Sequence, residues 1–123
     1  MAACLLIDDS RLARRICRAL LEQLGHSVTE AEEGIAGLAA CASRAFEFIL
    51  VDQNMPLMGG VDFIRHFRRQ SDTVPTPIIL CSSDPDPHLV RAALHHGADA
   101  YLNKPYTAQA LRRRLHRLAI DGP

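Results

Sequence analysis

The chain has 123 residues, 48% of them apolar and 23% charged, and its 14 basic side chains are balanced by 14 acidic ones. That length makes one domain able to bury its own core, and a net charge of zero argues against electrostatic capture of nucleic acid by the molecule as a whole. No apolar run approaches the roughly 20 residues that cross a bilayer, and Asp8, Asp9 and Arg11 interrupt the first run too soon for a secretory leader.

Short apolar runs then alternate with helical periodicity along the chain. The first strand is predicted over residues 3–8. A helix follows, with Ser10 as its N-cap, Leu12, Ile16, Leu20 and Leu24 as its apolar face, and Gly25 as its stop. The second strand is Ser27–Ala31, and the second helix runs from Gly34 to Ser43 with Ile35 and Leu38 as its apolar positions. The third strand is Phe46–Asp52, and the turn-rich stretch from Asn54 to Gly60 leads into a third helix carrying Phe63, Ile64 and Phe67.

Pro75 and Pro77 lead into the fourth strand, Ile78–Cys81. The fourth helix takes Asp86 as cap and Pro87 at its first position, shows Leu89, Val90, Ala93 and Leu94, and ends at Gly97. The fifth strand is Ala100–Leu102; the fifth helix shows Ala108, Leu111, Leu115 and Leu118, and Asp121-Gly122-Pro123 break the pattern. Apolar runs separated by helices of this length predict an α/β fold: a single three-layer (βα)5 domain, doubly wound around a five-stranded parallel sheet.

Charge is uneven along the chain, with nine acids and five bases in residues 1–62 against five acids and nine bases in residues 63–123. The arginines of the second half read as solvated helix faces. Cys4, Cys17, Cys41 and Cys81 lack C-x-x-C spacing, and two of them sit inside apolar strand runs, which predicts reduced thiols and a cytoplasmic protein. The six histidines, His95-His96 included, show no metal-ligand spacing.

Groups at the carboxyl ends of parallel strands share one crevice. Here those ends are marked by Asp8-Asp9, Asp52, Ser82 and Lys104-Pro105. Adjacent ionised carboxylates repel, and a magnesium ion, or manganese in its place, would relieve that cost with oxygen ligands. Asp9 and Asp52 are the expected direct ligands, with the Asn54 backbone carbonyl as a third oxygen and Asp8 acting through water. A blander reading has Asp8 or Asp9 merely capping the first helix.

Asp52 is the expected nucleophile, since a carboxylate can attack phosphorus to form a mixed anhydride. Lys104, the single lysine against thirteen arginines, would spread the charge on the phosphoryl oxygens. Ser82 would donate its hydroxyl to a phosphoryl oxygen, with Ser83 as a competitor.

Asp8-Asp9-Ser10, Asp52-Gln53-Asn54-Met55-Pro56, Cys81-Ser82-Ser83-Asp84, Gly97-Ala98-Asp99-Ala100-Tyr101 and Lys104-Pro105-Tyr106 occur in that order at strand ends. Together they resemble the receiver family of CheY-like response regulators across essentially the whole chain, residues 1–123, with the flavodoxin-like architecture of that family and no output domain after it. The resemblance implies phosphoryl transfer to Asp52 from a histidine kinase or a histidine phosphotransfer protein. It implies a switch in which Ser82 moves onto the phosphoryl group and Tyr101 turns inward, and a Lys104–Pro105 bond that is often cis.

It also implies docking of the donor on the first helix (Arg11, Leu12, Arg15). Output would come through the face of the fourth helix, fifth strand and fifth helix, to a protein target or, in some relatives, a phosphorylation-linked dimer. Direct nucleic-acid binding and membrane insertion are not expected. Asn54 and Asp84, each two residues past a site residue, are expected to overlook the attacking water and shorten the life of the phosphoryl group.

Three departures stand out. Serine replaces the commoner threonine at Ser82, Gly59 stands where a capping residue is usual, and Pro85 and Pro87 stiffen the loop after the fourth strand. The Gly59 departure predicts a looser start to the third helix. A haloacid-dehalogenase-type hydrolase would need an acid where Asn54 stands, and a flavodoxin-like cofactor binder would need a Ser/Thr-rich phosphate loop where Asp9-Ser10-Arg11 stands. A degenerate receiver that only binds proteins, or a receiver cut from a hybrid kinase, remains open.

Overall fold

The computed structural model describes residues 2–70, 75–84 and 86–120. Five strands alternate with five helices: β1 (Ala3–Ile7), α1 (Arg11–Gln23), β2 (Ser27–Ala31), α2 (Gly34–Ser43), β3 (Phe48–Asp52), α3 (Gly60–Gln70), β4 (Ile78–Ser82), α4 (Pro87–His96), β5 (Ala100–Asn103) and α5 (Ala108–Arg117). The strands form one parallel sheet in the order β2-β1-β3-β4-β5. The order of strand addition reverses at β1, with β2 on one side and β3 on the other, and a crevice opens beyond the carboxyl ends of β1 and β3. The expected roles of Pro85 and of Asp121-Gly122-Pro123 fall outside the described residues. Among the described residues, no helix is long and apolar enough to cross a membrane.

The period-two alternation of a strand sends neighbouring residues to opposite sheet faces, and the core divides accordingly. Cys4, Leu6, Phe48, Leu50, Ile79 and Cys81 pack with Cys17 and Leu21 of α1 and Leu111 and Leu115 of α5. Leu5, Ile7, Ile49, Val51, Ile78 and Leu80 pack with Phe63, Ile64 and Phe67 of α3 and Ala93 of α4. Both faces are covered, so β3 and β4 are buried at every position and read as unbroken apolar runs.

The boundaries differ slightly from those predicted: Asp8 lies just past β1, and β3 begins at Phe48 rather than Phe46. Three apolar-face assignments need correction. In α1, Leu12 and Ile16 are 65% and 55% exposed, while Arg14, Cys17 and Leu21 face inward and Leu20 and Leu24 pack only in part. On that inward face Arg14 is satisfied, its Nε donating to Glu30 Oε1 at 3.0 Å and its Nη1 to the Asp8 carbonyl at 2.7 Å.

In α2, Ile35 points outward because the helix seats its glycines instead. A Cβ at Gly37 would stand 2.5 Å from Ile7 Cδ1, so any larger residue would have to push the buried Ile7 side chain aside. In α4, Leu94 is exposed and Ala93 is the buried residue.

The start of α3 is not loose. Gln53 serves in place of the missing cap: its Oε1 accepts from the Val61 N–H at 2.9 Å and its carbonyl from the Gly60 N–H at 3.2 Å. Thr107 caps α5 by accepting from the Ala110 N–H, and Asp86 caps α4 as expected, with Gly97 closing that helix at φ 115°.

Arg68 of α3 ties the end of α4 to the sheet. Its guanidinium donates to the Gly97 carbonyl at 3.2 and 2.8 Å and to Asp99 Oδ2 at 3.0 Å, and that carboxylate accepts from the Ile78 N–H at 2.9 Å.

Candidate functional site

Three strand ends deliver the site. Asp52 is the last residue of β3, Asp8 and Asp9 follow β1, and Lys104 follows β5. Asp8 and Asp52 are nearly buried, at 4% and 6% exposure, whereas Asp9 sits at the open rim. One carboxylate oxygen from each of the three lies within 4.8 Å of the others. Lys104 bridges two of them, with Nζ 2.8 Å from Asp8 Oδ2 and 2.8 Å from Asp52 Oδ1.

Backbone donors fix the carboxylates. Asp52 Oδ2 accepts from the Asn54 N–H at 3.0 Å, and Asp8 Oδ1 accepts from the Ser10 N–H at 2.9 Å. Ser10, not either aspartate, caps α1, its hydroxyl accepting from the Ala13 N–H at 3.1 Å. Asp8 and Asp9 are therefore left for other work.

Burial raises the pKa of Asp52, and the attraction of Lys104 only partly offsets it. Burial also works against the charge on Lys104, yet Asp52 and Asp8 outweigh it and hold the amine well above the ordinary lysine range. Asp52 Oδ1 is buried with the ammonium as its charge partner but without an aligned hydrogen bond. One ammonium among three carboxylates leaves negative charge uncompensated when all are ionised, and every donor is a hard oxygen. The residues fit a divalent hard cation such as magnesium.

Ser82 is fully buried at the end of β4, where it pairs with Asn103, and its hydroxyl accepts from the Asp84 N–H at 3.0 Å. Ser83 is exposed beside it. Tyr101 is half-buried, and its hydroxyl donates to the Asp84 carbonyl at 2.7 Å. Asn54 and Asp84 are both exposed, but the Asp84 carboxylate is engaged in its own loop, accepting from the Asp86 N–H at 3.0 Å. The Lys104–Pro105 peptide bond is cis.

Several supporting residues carry no sequence signal of their role. Gly60 is required because a Cβ there would meet Leu80 Cδ1 at 2.4 Å and the Asp52 carbonyl oxygen at 2.8 Å. Tyr106 closes the floor behind Lys104, its hydroxyl donating to Cys17 Sγ at 2.9 Å. Burial pushes the Cys17 thiol up to about 11 and Cys4 up to about 12, so these thiols stay protonated and act as packing groups.

The family model described as the response regulator receiver domain matches residues 4–116. Among curated proteins, the chain is 36% identical over 121 residues to the sensor histidine kinase AruS of Pseudomonas aeruginosa, covering 97% of this chain but 12% of that protein. It is 30% identical over 115 residues to the chemotaxis protein CheY-3 of Vibrio cholerae, covering 93% of this chain and 88% of the relative. Among solved structures, the chemotaxis protein CheY4 of Vibrio cholerae aligns with a TM-score of 0.89 at 32% identity, covering 95% of this chain and 98% of that one.

Proposed function

The chain belongs to the response regulator receiver domain family, and from that premise we propose that Asp52 accepts a phosphoryl group in a two-component phosphorelay. The observation that carries this reading is the contact of a buried Asp52 carboxylate with the Lys104 ammonium at 2.8 Å, beside the Asp8 and Asp9 carboxylates. An Asp52 oxygen attacks phosphorus as the P–N bond to a donor imidazole breaks. The electron pair goes to the imidazole, which takes up a proton from solvent.

Lys104 stays with the developing charge on the equatorial oxygens, and its contact with Asp8 keeps it aimed before the phosphoryl group arrives. Magnesium would be held by Asp9 and Asp52, the Asn54 carbonyl and, through water, Asp8. When bound it supplies Lewis-acid neutralisation of the phosphoryl charge.

Addition of about two negative charges at Asp52 is the proposed signal. Ser82 would exchange its bond to the Asp84 N–H for one to a phosphoryl oxygen, loosening the loop that Tyr101 also holds. The face formed by α4, β5 and α5 would pass that change to a protein target or a second copy, with Tyr101, Arg91 and Arg113 at the contact. The donor, a histidine kinase or phosphotransfer protein, would dock on α1 through Arg11, Leu12 and Arg15. The outward-facing Leu12 supports that assignment. A cytoplasmic setting agrees with four free cysteines. Since the chain matches a short stretch of a much longer sensor kinase, a receiver within a larger protein is the second reading.

Incubation with magnesium and acetyl phosphate, followed by intact mass measurement, tests the proposal. Wild type gains one phosphoryl group and Asp52→Asn gains none; unmodified wild type would sink it. Asn54 and Asp84 support a short-lived phosphoryl group, and a half-life of many hours at neutral pH with magnesium would count against that part.

A further inference from the structure

Arg14 is the one arginine or lysine among the buried residues described, at 7% exposure, and the phosphotransfer chemistry as set out above makes no use of it. An arginine in such a place needs several partners to offset its desolvation. Two of the three it has are carboxylates at or just beyond the edge strand β2: Nε donates to Glu30 Oε1 at 3.0 Å, and Nη2 stands 3.7 Å from Glu32 Oε1. The third is the carbonyl of Asp8, to which Nη1 donates at 2.7 Å.

That carbonyl lies one residue beyond the strand pairing, which ends with Ile7 opposite Ala31 and Val51. The other polar groups of Asp8 are also occupied. Its N–H donates to the Ala31 carbonyl at 3.1 Å, and its two carboxylate oxygens accept from the Ser10 N–H and the Lys104 ammonium. Arg14 supplies the remaining tie, at the carbonyl that joins Asp8 to Asp9.

We infer that Arg14 is a positioning residue that anchors the Asp8-Asp9 backbone to β2 and so fixes the carboxylates for a divalent cation. The inference rests on reading Asp8, Asp9 and Asp52 as a magnesium site. Magnesium tolerates little deviation from octahedral geometry, so a small shift of one carboxylate is costly. Groups that hold metal ligands in place are commonly worth about 10–100-fold in affinity. Arg18 provides an internal control: its Nη1 also bonds Glu30, at 2.6 Å, but no contact joins it to Asp8.

The experiment is magnesium titration by calorimetry of the unphosphorylated protein. Arg14→Met keeps the apolar stem and removes the donors, and its affinity falls about 10-fold or more. Arg14→Lys falls between that and wild type, and Arg18→Met matches wild type. Equal affinity in wild type and Arg14→Met, or an equal loss in Arg18→Met, overturns the inference. Should Arg14→Met fail to fold, Arg14→Lys and Arg18→Lys decide: weakening in the first alone supports it, and parity overturns it.

A kinetic arm separates cation placement from general damage. With acetyl phosphate as donor, Arg14→Lys reaches the wild-type rate once magnesium saturates, and a deficit that persists at saturation counts against it. Wild type that binds no magnesium removes the site reading itself. Wild type that binds it, with no effect at Arg14, removes this inference alone.

Discussion

Helices α1 and α3 cover opposite faces of the same sheet, yet they bury different chemistry. α3 turns Phe63, Ile64 and Phe67 inward, and Phe63 and Phe67 stack with ring centroids 5.9 Å apart. α1 turns in Arg14, Cys17 and Leu21 and leaves Leu12 and Ile16 in solvent. The buried side chains of α3 are all apolar, and its polar ties, from Arg68 and to Gln53, lie at its two ends. α1 instead makes its polar ties from within its buried face, through Arg14 to Glu30 and the Asp8 carbonyl, and its displaced apolar residues lie exposed.

Substitutions on the two helices sharpen the contrast. Phe63→Ala removes a fully buried ring and should cost about 3–5 kcal/mol in urea unfolding, and Cys17→Ala on α1 well under half of that. Equal losses would break the distinction. Gly60→Ala, where α3 meets β3, should cost about 1–3 kcal/mol, because the added methyl must displace both Leu80 and the Asp52 carbonyl. A stability gain there would show that the helix start has slack.

The next effect has the opposite sign. The folded-state pKa of Asp52 lies above its unfolded value, so ionising it costs stability above that raised pKa. The cost disappears as pH falls below the ordinary carboxylate range. Without magnesium, Asp52→Asn should therefore melt higher than wild type at neutral pH, with the gap closing in acid. A gap independent of pH would mean that charge burial is not its source. Smallest of all, Leu12→Ser and Ile16→Ser should each change stability by no more than about 0.5 kcal/mol. They should nevertheless slow phosphorylation by a protein donor and leave acetyl phosphate turnover untouched, and a large stability loss would put those residues back in the core.

The strand runs and the five-residue constellation were legible because each rests on a strong local pattern. Unbroken apolar runs ended in acids, and a lone lysine preceded a proline. α3 was equally legible, since its aromatic residues outweigh any alternative face. The face of α1 was not, because periodicity scores Leu12 and Ile16 as core and cannot register that Arg14 has Glu30 and the Asp8 carbonyl waiting for it. Ile35 misled for a related reason: α2 approaches the sheet through Gly34 and Gly37, and close approach leaves no apolar signature. The capping of α3 by Gln53 spans eight positions through a loop, which no cap pattern anticipates.

One grip on α4 has a mechanical consequence. Arg68 fastens the carboxyl end of that helix at Gly97, and along its length Ala93 is the residue that is fully enclosed. Its opposite end follows the segment in which the Ser82 hydroxyl accepts from the Asp84 N–H and the Tyr101 hydroxyl bonds the Ser82 and Asp84 carbonyls. The helix is thus fastened at the end remote from Ser82, so its carboxyl end carries a tie that its first turn at Pro87 does not share.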